Sequence, residues 1–475
     1  MNNPPQSSVP PGLQQKKRMA SVLELFLKVV PVAFFEHLSL PLKPHHHNGV
    51  FTLPVVIWLM IFQRLDDKGS LWVAVQEVVR GLPASLIPRP SQRLRKRTVS
   101  SHTGGYNQAR QHLPLQVVEQ VNTTTFQQLM ESRSHPGSGP KGDMFILDGS
   151  TLLMPHTQPL LEAYPPSRNQ HGVSHWPIMR VLVGHDVHCG LATRPRWGPV
   201  HGPEAVSEQG LVEELMDQLP ARAGVMGDQN FGVFSVAWTA QQRNRPVLLR
   251  LTPARAKRPF GPVLCSRTDQ RVNWKPSRWD CDGHPGWPPD ACVSGRLIVR
   301  KVYPSDGSGP TKLYLFTTLD SPADEILQLY GLRWNVETDL RTLKKTIRLE
   351  MLDCRTPEMV AKELILAITA YNLVRAVIND SARRTRMDPR QYSFSRVQDV
   401  LNAWLPYLAS IPSETEREAE FERMMRSVAQ CKLYKRKRTK SYPRAVWGRN
   451  QTFPRQKASA SQKADLENPS CKTGR

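Results

Sequence analysis

Apolar residues recur at helical spacing through the first quarter of the chain. SVLELFLKVV (21–30) and LPLQVVEQVNTTTFQQLM (113–130) both show this period, which predicts amphipathic helices. FTLPVVIWLMIF (51–62) is apolar throughout. Because this run is too short to span a bilayer, it predicts a helix buried in a protein core. We predict a helical region over residues 19–133, after a tail over 1–18 whose Pro, Gln and Ser content is typical of disorder.

Short apolar runs and amphipathic helices alternate in the centre of the chain. The runs predicted as strands are MFILD (144–148), PIMRVLVGHDV (177–187), GLATRP (190–195), AGVMGD (223–228) and RPVLLRL (245–251). Helices are predicted over residues 204–219, before the fourth strand, and over 231–243, before the fifth. The order β-β-β-α-β-α-β predicts an α/β fold with helices covering a mixed sheet.

The helix expected after the fifth strand is delayed by a long segment rich in Trp, Pro and Gly. This segment, residues 253–321, contains the strand-like runs RLIVRKVY and KLYLFTTL. We interpret it as a β-rich insertion in a domain formed by residues 140–252 and 322–395. A helical, basic region with a disordered tail is predicted over 396–475.

Charge and cysteine content narrow the possible partners and location. The formal net charge is +23 and the pI is near 10.0, which favours a polyanion as partner. The 39% hydrophobic content indicates folded domains rather than a basic tail. Seven cysteines at irregular spacing indicate a reducing cytosol, and the N-terminal residues lack a secretory pattern.

Two aspartates end predicted strands, where α/β sheets build their sites. Asp148 follows the first strand and Asp228 follows the fourth. An aspartate at a strand end also caps turns, which is the commoner role for any one of them. Two such aspartates on strands that can be neighbours, with a third acid on the next helix, favour a site.

That third acid is Glu337, which lies among cations in YGLRWNVETDLRTLKKTIRLEML (330–352). On a regular helix, Tyr330, Arg333, Glu337 and Lys344 fall within an arc of about 60°. Arg341 and Arg348 lie on or beside the same stripe, which is roughly 20 Å long. Leu332, Val336, Leu340, Leu343 and Ile347 form the opposite, core-facing stripe, and Asp339 lies at its edge.

This cationic face has two interpretations. A solvated face stabilised by pairs such as Glu337 with Arg333 and Arg341 is the simpler one. The excess of cations on this face, however, better suits binding to a phosphate backbone. Three carboxylates beside such cations are sufficient ligands for two Mg²⁺ ions in phosphodiester displacement, and Mn²⁺ is expected to substitute.

The motifs resemble those of the insertion-sequence-4 family of bacterial DDE transposases. The spacing Y-x2-R-x3-E-x6-K resembles the family signature, and LDGSTLLMPHT and MGDQNFGVFS resemble its first and second aspartate blocks. SSHTGGYNQARQHLP is similar to the segment that precedes the catalytic domain. The resemblance covers roughly residues 95–400. His156 and Gln229 depart from it, since relatives commonly carry Asp and Arg there.

The resemblance implies a ribonuclease-H-like catalytic domain over 140–252 and 322–395, a DNA-binding region over 19–133, and cut-and-paste transposition. Asp148, Asp228 and Glu337 would be the catalytic, metal-binding triad. Tyr330, Arg333 and Lys344 would contact DNA, and Arg341 and Arg348 are candidates to extend that contact. Trp274, Trp279 and Trp287 are candidates to stack on a flipped base during hairpin formation, although core packing is the commoner role of a tryptophan.

The expected partners are transposon-end and target DNA and a second copy of the chain in a synaptic dimer, without a membrane. The expected location is the cytoplasm, at the bacterial nucleoid. Two alternatives remain open: a structure-selective nuclease on the same fold, and a catalytically inactive DNA-binding derivative.

Overall fold

The computed structural model describes residues 22–38, 49–66, 69–82, 86–133, 143–169, 172–260, 267–302, 310–350, 352–411 and 413–433. These residues belong to one compact unit, apart from residues 310 and 311. The predicted N-terminal tail over 1–18 and the chain after residue 433 lie outside the described residues. No helix within the described ranges is long and apolar enough to cross a membrane.

A mixed sheet of eight strands forms the centre of the molecule, with the order β5-β4-β1-β6-β7-β10-β9-β8. The strands are β1 (Met144–Leu153), β4 (Ile178–Asp186), β5 (Arg196–Pro199), β6 (Gly224–Gly227), β7 (Val247–Leu251), β8 (Asp269–Trp274), β9 (Val293–Val302) and β10 (Thr311–Thr317). A separate ribbon pairs β2 (Arg168–Asn169) with β3 (Gly172–Val173).

The strand directions confirm the predicted α/β fold with a mixed sheet. β4 is antiparallel to both of its neighbours, β5 and β1, whereas β1, β6 and β7 are parallel. The order of the first five strands of this sheet, counted along the chain, is therefore 3-2-1-4-5, which is the ribonuclease-H-like arrangement. β10 then pairs with β7 in the antiparallel direction, so β8–β10 continue the same sheet. The predicted domain boundaries stay predictions.

Two local predictions in this region are wrong. The third strand is β5 at 196–199 and not 190–195, because the chain turns directly after β4. The Asp186 carboxylate accepts from the backbone N–H groups of His188 and Cys189 at 2.9 and 2.7 Å, and Gly190 adopts φ +76°. The predicted helix over 204–219 is reduced to a 3₁₀ turn and one short helix.

Helices surround the sheet and form most of the N- and C-terminal regions. They are α1 (Val22–Val29), α2 (Val32–Glu36), α3 (Leu53–Leu65), α4 (Leu71–Arg80), α5 (Gln92–Arg95), α6 (Gly104–His112), α7 (Leu115–Ser132), α8 (Gln158–Ala163), α9 (Val212–Met216), α10 (Phe234–Gln242), α11 (Pro253–Phe260), α12 (Arg278–Gly283), α13 (Ala323–Gly331), α14 (Asn335–Arg341), α15 (Pro357–Thr385), α16 (Phe394–Ser410) and α17 (Glu414–Gln430).

The long helix α15 joins the N-terminal helices to the sheet domain. It begins at Pro357, after Thr356, whose hydroxyl caps the first turn by accepting from the Met359 N–H. Its apolar residues belong to the same core as those of α3 and α7. The predicted core helix over 51–62 is therefore confirmed as α3, in which Ile57, Leu59 and Ile61 are fully buried.

An arginine–glutamate–arginine group reinforces this junction. Glu363 of α15 pairs with Arg64 of α3 and with Arg110 of α6. The three side chains are only 9–12% exposed. Since a half-broken buried ion pair is costly, this group fixes the N-terminal helices against α15.

Candidate active site between the central strands and α14

Two predicted site residues lie side by side at the centre of the sheet. β1 and β6 are parallel, with Phe145 beside Val225 and Ile146 beside Met226. The same offset places Asp148 beside Asp228, on strands that are about 4.8 Å apart. The strand pairing expected for these aspartates is thus confirmed, although β1 continues to Leu153 instead of ending at Asp148.

The environment of Asp148 disfavours its negative charge. Burial is the largest effect and, together with the charges of Asp228 and Glu208, raises the pKa of Asp148 to about 7. The Gly149 N–H, which donates to Asp148 Oδ1 at 2.9 Å, and the guanidinium of Arg333 act in the opposite direction. Burial, more than the neighbouring charges, therefore disfavours the ionised form of Asp148.

The segment that carries Glu337 is not one regular helix. α13 ends at Gly331, a 3₁₀ turn covers 332–334, α14 covers 335–341, and a π-helical turn covers 342–346. These changes of winding shift the side chains away from the arc that a regular helix predicts. The predicted continuous stripe is therefore wrong, and Leu332, predicted in the core, is 36% exposed.

The first half of the predicted stripe lies close to the aspartates. Arg333 donates to Glu337 Oε1 at 3.3 Å, and its charge lowers the pKa of Asp148. Tyr330 is only 7% exposed, and burial raises its pKa while the nearby Arg333 and Arg250 oppose this. Asp148, Asp228, Tyr330 and Arg333 thus share one electrostatic environment, with Glu337 attached to it through Arg333.

The second half of the stripe divides into solvent-facing and structural residues. Arg341 is exposed and Lys344 is half-buried. Arg348 lies beyond the π turn with φ +60° and donates to the carbonyl oxygens of Gln63 and Asp66, at 2.7 and 2.6 Å. Arg348 thus binds carbonyl groups at the end of α3, which corrects its predicted place on a DNA-facing stripe.

Asp339 is wholly buried and not at the edge of an apolar face. Its carboxylate accepts from Arg375 at 2.5 Å, from Arg390 at 2.6 and 2.8 Å, and from the Tyr371 hydroxyl at 3.0 Å. Burial alone would raise the pKa of Asp339, but Arg390, Arg375 and His185 together lower it to about 2. These bonds fix α14 to α15 and, through Arg390, to the end of β4, where Arg390 donates to the carbonyl of Asp186.

The buried His185 is expected to make the protein less stable in mild acid. Its Nδ1 lies 3.7 Å from Asp339 Oδ2. Burial is the largest cause that lowers its pKa from 6.5 to about 4, and the carboxylate of Asp339 opposes this. Between these values the unfolded chain binds a proton that the folded chain excludes, so stability falls as the pH falls. We expect the contribution of His185 to the free energy of unfolding in urea, taken as the difference between the wild type and a His185 variant, to drop by roughly 2–3 kcal/mol between pH 7 and pH 4.5. The raised pKa of Asp148 acts in the opposite direction in both proteins and cancels in this difference. A His185→Gln variant should lose that part of the slope, and an unaltered slope would contradict the assignment.

The three candidate tryptophans have different environments. Trp274 is 5% exposed and packs edge-on against Phe316, with centroids 4.8 Å apart. Trp287 stacks on His284 at 4.2 Å. Trp279 on α12 is 84% exposed, so its ring is the most accessible of the three. Core packing accounts for Trp274.

Several residues near the site were not identified from the sequence. Glu208 and Asn230 lie in loops beside the aspartates, and Arg250 on β7 lies near Tyr330. Trp334 is 64% exposed and lies under the Arg333 guanidinium, 4.9 Å from the ring centroid. The motif spacing gave no indication of Glu208, Asn230 or Arg250. Trp334 could have been found, because it directly follows Arg333 in the signature.

The two residues that depart from the family motif, His156 and Gln229, make contacts outside the Arg333–Glu337 ion pair. His156 stacks on His175 at 4.0 Å, and its Nδ1 lies 2.6 Å from the His175 carbonyl oxygen. The Gln229 carbonyl accepts from Arg255 at 2.7 Å.

The carboxylates meet part of the requirement for a divalent cation. Asp148 and Asp228 offer hard oxygen donors and negative charge, which suit Mg²⁺. Glu337 is instead bonded to Arg333. Among the residues that the structure describes, no three or more His, Cys, Asp or Glu side chains are grouped so as to hold a metal ion. The aspartate pair fits the cation, whereas one carboxylate oxygen of Glu337 is bonded to Arg333.

Three comparisons with known proteins find similarity to transposases. Residues 139–373 match the family model of the transposase DDE domain. The chain is 24% identical over 412 residues to the transposase InsG for insertion sequence element IS4 of Escherichia coli strain K12, covering 85% of this chain and 86% of that protein. It is also similar to a solved piggyBac transposase synaptic complex with hairpin DNA, at 10% identity and a TM-score of 0.41 over 85% of each chain. Residues 139–373 thus match a transposase DDE domain, and the chain is similar over most of its length to an insertion-sequence-4 transposase.

Proposed function

We propose that this protein cuts the ends of an insertion sequence and joins them to target DNA by metal-dependent phosphoryl transfer. The observation that carries this proposal is the pair Asp148 and Asp228 on adjacent parallel strands, beside the cationic segment that bears Glu337. The related InsG is a transposase for an insertion sequence element, and a net charge of +23 suits a DNA partner.

The cationic residues of α14 and its flanks would hold the DNA strand. Arg333 lies at the aspartates, and Arg341 and Lys344 follow it along the same segment. A phosphate at Arg333 would compete with Glu337 for its guanidinium, because both are anionic acceptors. DNA binding would in this way release Glu337 toward the aspartates, so that the three acidic residues come together only when substrate is present.

Asp148, Asp228 and the released Glu337 would hold one or two Mg²⁺ ions, with Mn²⁺ as a substitute. When bound, the metal would polarise the scissile phosphate and make the attacking oxygen a better nucleophile by lowering its pKa. The protein supplies a partly buried setting in which charge interactions are strong, and Arg333 and Lys344 would stabilise charge on the phosphate oxygens.

The finer steps follow from the family resemblance. The first nick, made by water, would leave a 3′-hydroxyl. This hydroxyl would attack the opposite strand to form a hairpin and release the flanking DNA. Hydrolysis of the hairpin would regenerate the 3′-hydroxyl, which would then attack the target. Trp279 is the favoured platform for a flipped base, since its ring is the most exposed of the three candidates. Two copies of the chain would hold the two ends in a synaptic dimer, acting on DNA in the nucleoid.

The test uses purified protein, DNA that carries the candidate terminal repeat, and a target plasmid. With Mg²⁺ we expect a nick at the repeat, then a hairpin, then joined product, and none of these with EDTA. Cleavage without joining would favour the structure-selective nuclease. Binding of the repeat without cleavage in Mg²⁺ or Mn²⁺ would favour the inactive DNA-binding derivative.

A further inference from the structure

A fourth acid, outside the predicted triad, lies against the central strands. Glu208 is in the loop before α9, and its side chain is 18% exposed. Its carboxyl carbon lies 2.4 Å from the point where a Cβ on residue 149 would be. Only a glycine at position 149 therefore leaves room for the Glu208 carboxylate directly beside Asp148.

A chain of hydrogen bonds links this carboxylate to the second aspartate. Glu208 Oε2 accepts from the Asn230 side-chain amide at 2.5 Å. The backbone N–H of Asn230 in turn donates to Asp228 Oδ1 at 2.8 Å. Gln209 donates to the backbone carbonyl and side-chain oxygens of Asn230, both at 2.7 Å. The loop that carries Asn230 is thus fixed from the Glu208 side.

Glu208 also has an anchor on its other oxygen. Arg180 of β4 lies 3.5 Å from Glu208 Oε1. β4 pairs directly with β1, so this contact ties Glu208 to the same part of the sheet that carries Asp148. The two oxygens of Glu208 therefore connect the β1–β4 side of the site with the loop after β6.

We propose that Glu208 is a positioning residue, which holds Asp228 in register with Asp148 through Asn230. Its role is to accept the Asn230 amide hydrogen bond. A glutamine at this position keeps an acceptor oxygen, whereas an alanine removes it. Since this inference rests on the proposed function, the test also measures a property that does not require DNA cleavage.

The central experiment compares Glu208→Ala with Glu208→Gln in two assays. The first measures kcat and KM for cleavage of a repeat-bearing DNA, and the second measures the affinity of the DNA-free protein for Mn²⁺ by calorimetry. We expect Glu208→Ala to lower kcat and Mn²⁺ affinity by roughly 10- to 100-fold, the usual effect of losing a contact that orients a ligand. KM and the thermal midpoint should stay near the wild-type values, and Glu208→Gln should recover most of both losses.

Two further variants test the connection itself. Asn230→Ala should reproduce the effect of Glu208→Ala, and the double variant should be no worse than either alone, because both remove one link. Gly149→Ala should displace the Glu208 carboxylate and act in the same direction. Glu204→Ala, in the same loop and exposed, is the matched control and should match the wild type.

The outcomes separate this inference from the proposed function. If the wild type cleaves DNA and Glu208→Ala behaves like Glu204→Ala, the positioning role is wrong. If Glu208→Gln is as damaging as Glu208→Ala, the negative charge and not the hydrogen bond is what matters, and the inference is overturned. If the wild type binds Mn²⁺ but does not cleave, the proposed function fails, while the effect of Glu208 on Mn²⁺ affinity still decides the positioning role.

Discussion

Asp228→Asn is expected to lower the rate of strand cleavage at a terminal repeat by about a thousandfold or more, which is the scale of a lost electrostatic contact in a transition state. Asparagine keeps the shape of the side chain and the oxygen that accepts from the Asn230 N–H. What it removes is a negative charge beside Asp148. Asp148→Asn and Glu337→Gln should have effects of the same order, and Glu337→Ala should abolish nicking and hairpin formation.

The measurement is single-turnover cleavage of a labelled DNA end, with end binding followed by gel shift. Binding should change by no more than a few-fold, since the cations of the α14 segment are intact. Asp217→Asn is the control, because Asp217 is an exposed carboxylate paired with Arg243 at 2.7 Å. A Glu337→Gln protein that cleaves at the wild-type rate would show that the carboxylate of α14 is not part of the site.

Asp339→Ala is expected to destabilise the protein by about 3–5 kcal/mol, because it leaves buried guanidinium groups without their counter-charge. Arg375 and Arg390 are 5% and 11% exposed and both bond this carboxylate. The change should appear as a lower urea midpoint with an unchanged slope. Loss of this anchor should also loosen α14, which carries Glu337 two residues before Asp339.

The control for this measurement is Glu350→Ala. Glu350 pairs with Lys345 at 2.5 Å at the surface, and we expect a change below about 1 kcal/mol. Equal stabilities of the Asp339 and Glu350 variants would contradict a structural role for Asp339. Asp339→Asn should lie between the alanine variant and the wild type, since the amide oxygen still accepts from Tyr371 or an arginine.

The sequence predicted the sheet and its aspartates because apolar strands and the acids that follow them are local features. AGVMGD and MFILD each contain both, and the strands pair as expected. Arg333 and Glu337 were also placed correctly relative to each other, since they lie one helical turn apart.

The remaining features depend on long-range packing. The π turn over 342–346 and the left-handed Arg348 follow from the docking of this segment on α3, which no periodicity encodes. Asp339 is polar in sequence yet buried, because its partners Arg375 and Arg390 lie on later segments of the chain. Glu208 and Asn230 meet across a separation of 22 residues.

The shared core of α3, α7 and α15 has a consequence for the exchange of segments between relatives. The N-terminal helices cover apolar residues of α15, so they are not a separate module joined by a linker. Glu363 also bonds arginines from two of those helices. An exchange of residues 19–133 between relatives would have to bring the matching face of α15 with it. Sequence change in residues 19–133 should therefore arise by substitutions on exposed surfaces rather than by shuffling of the whole segment.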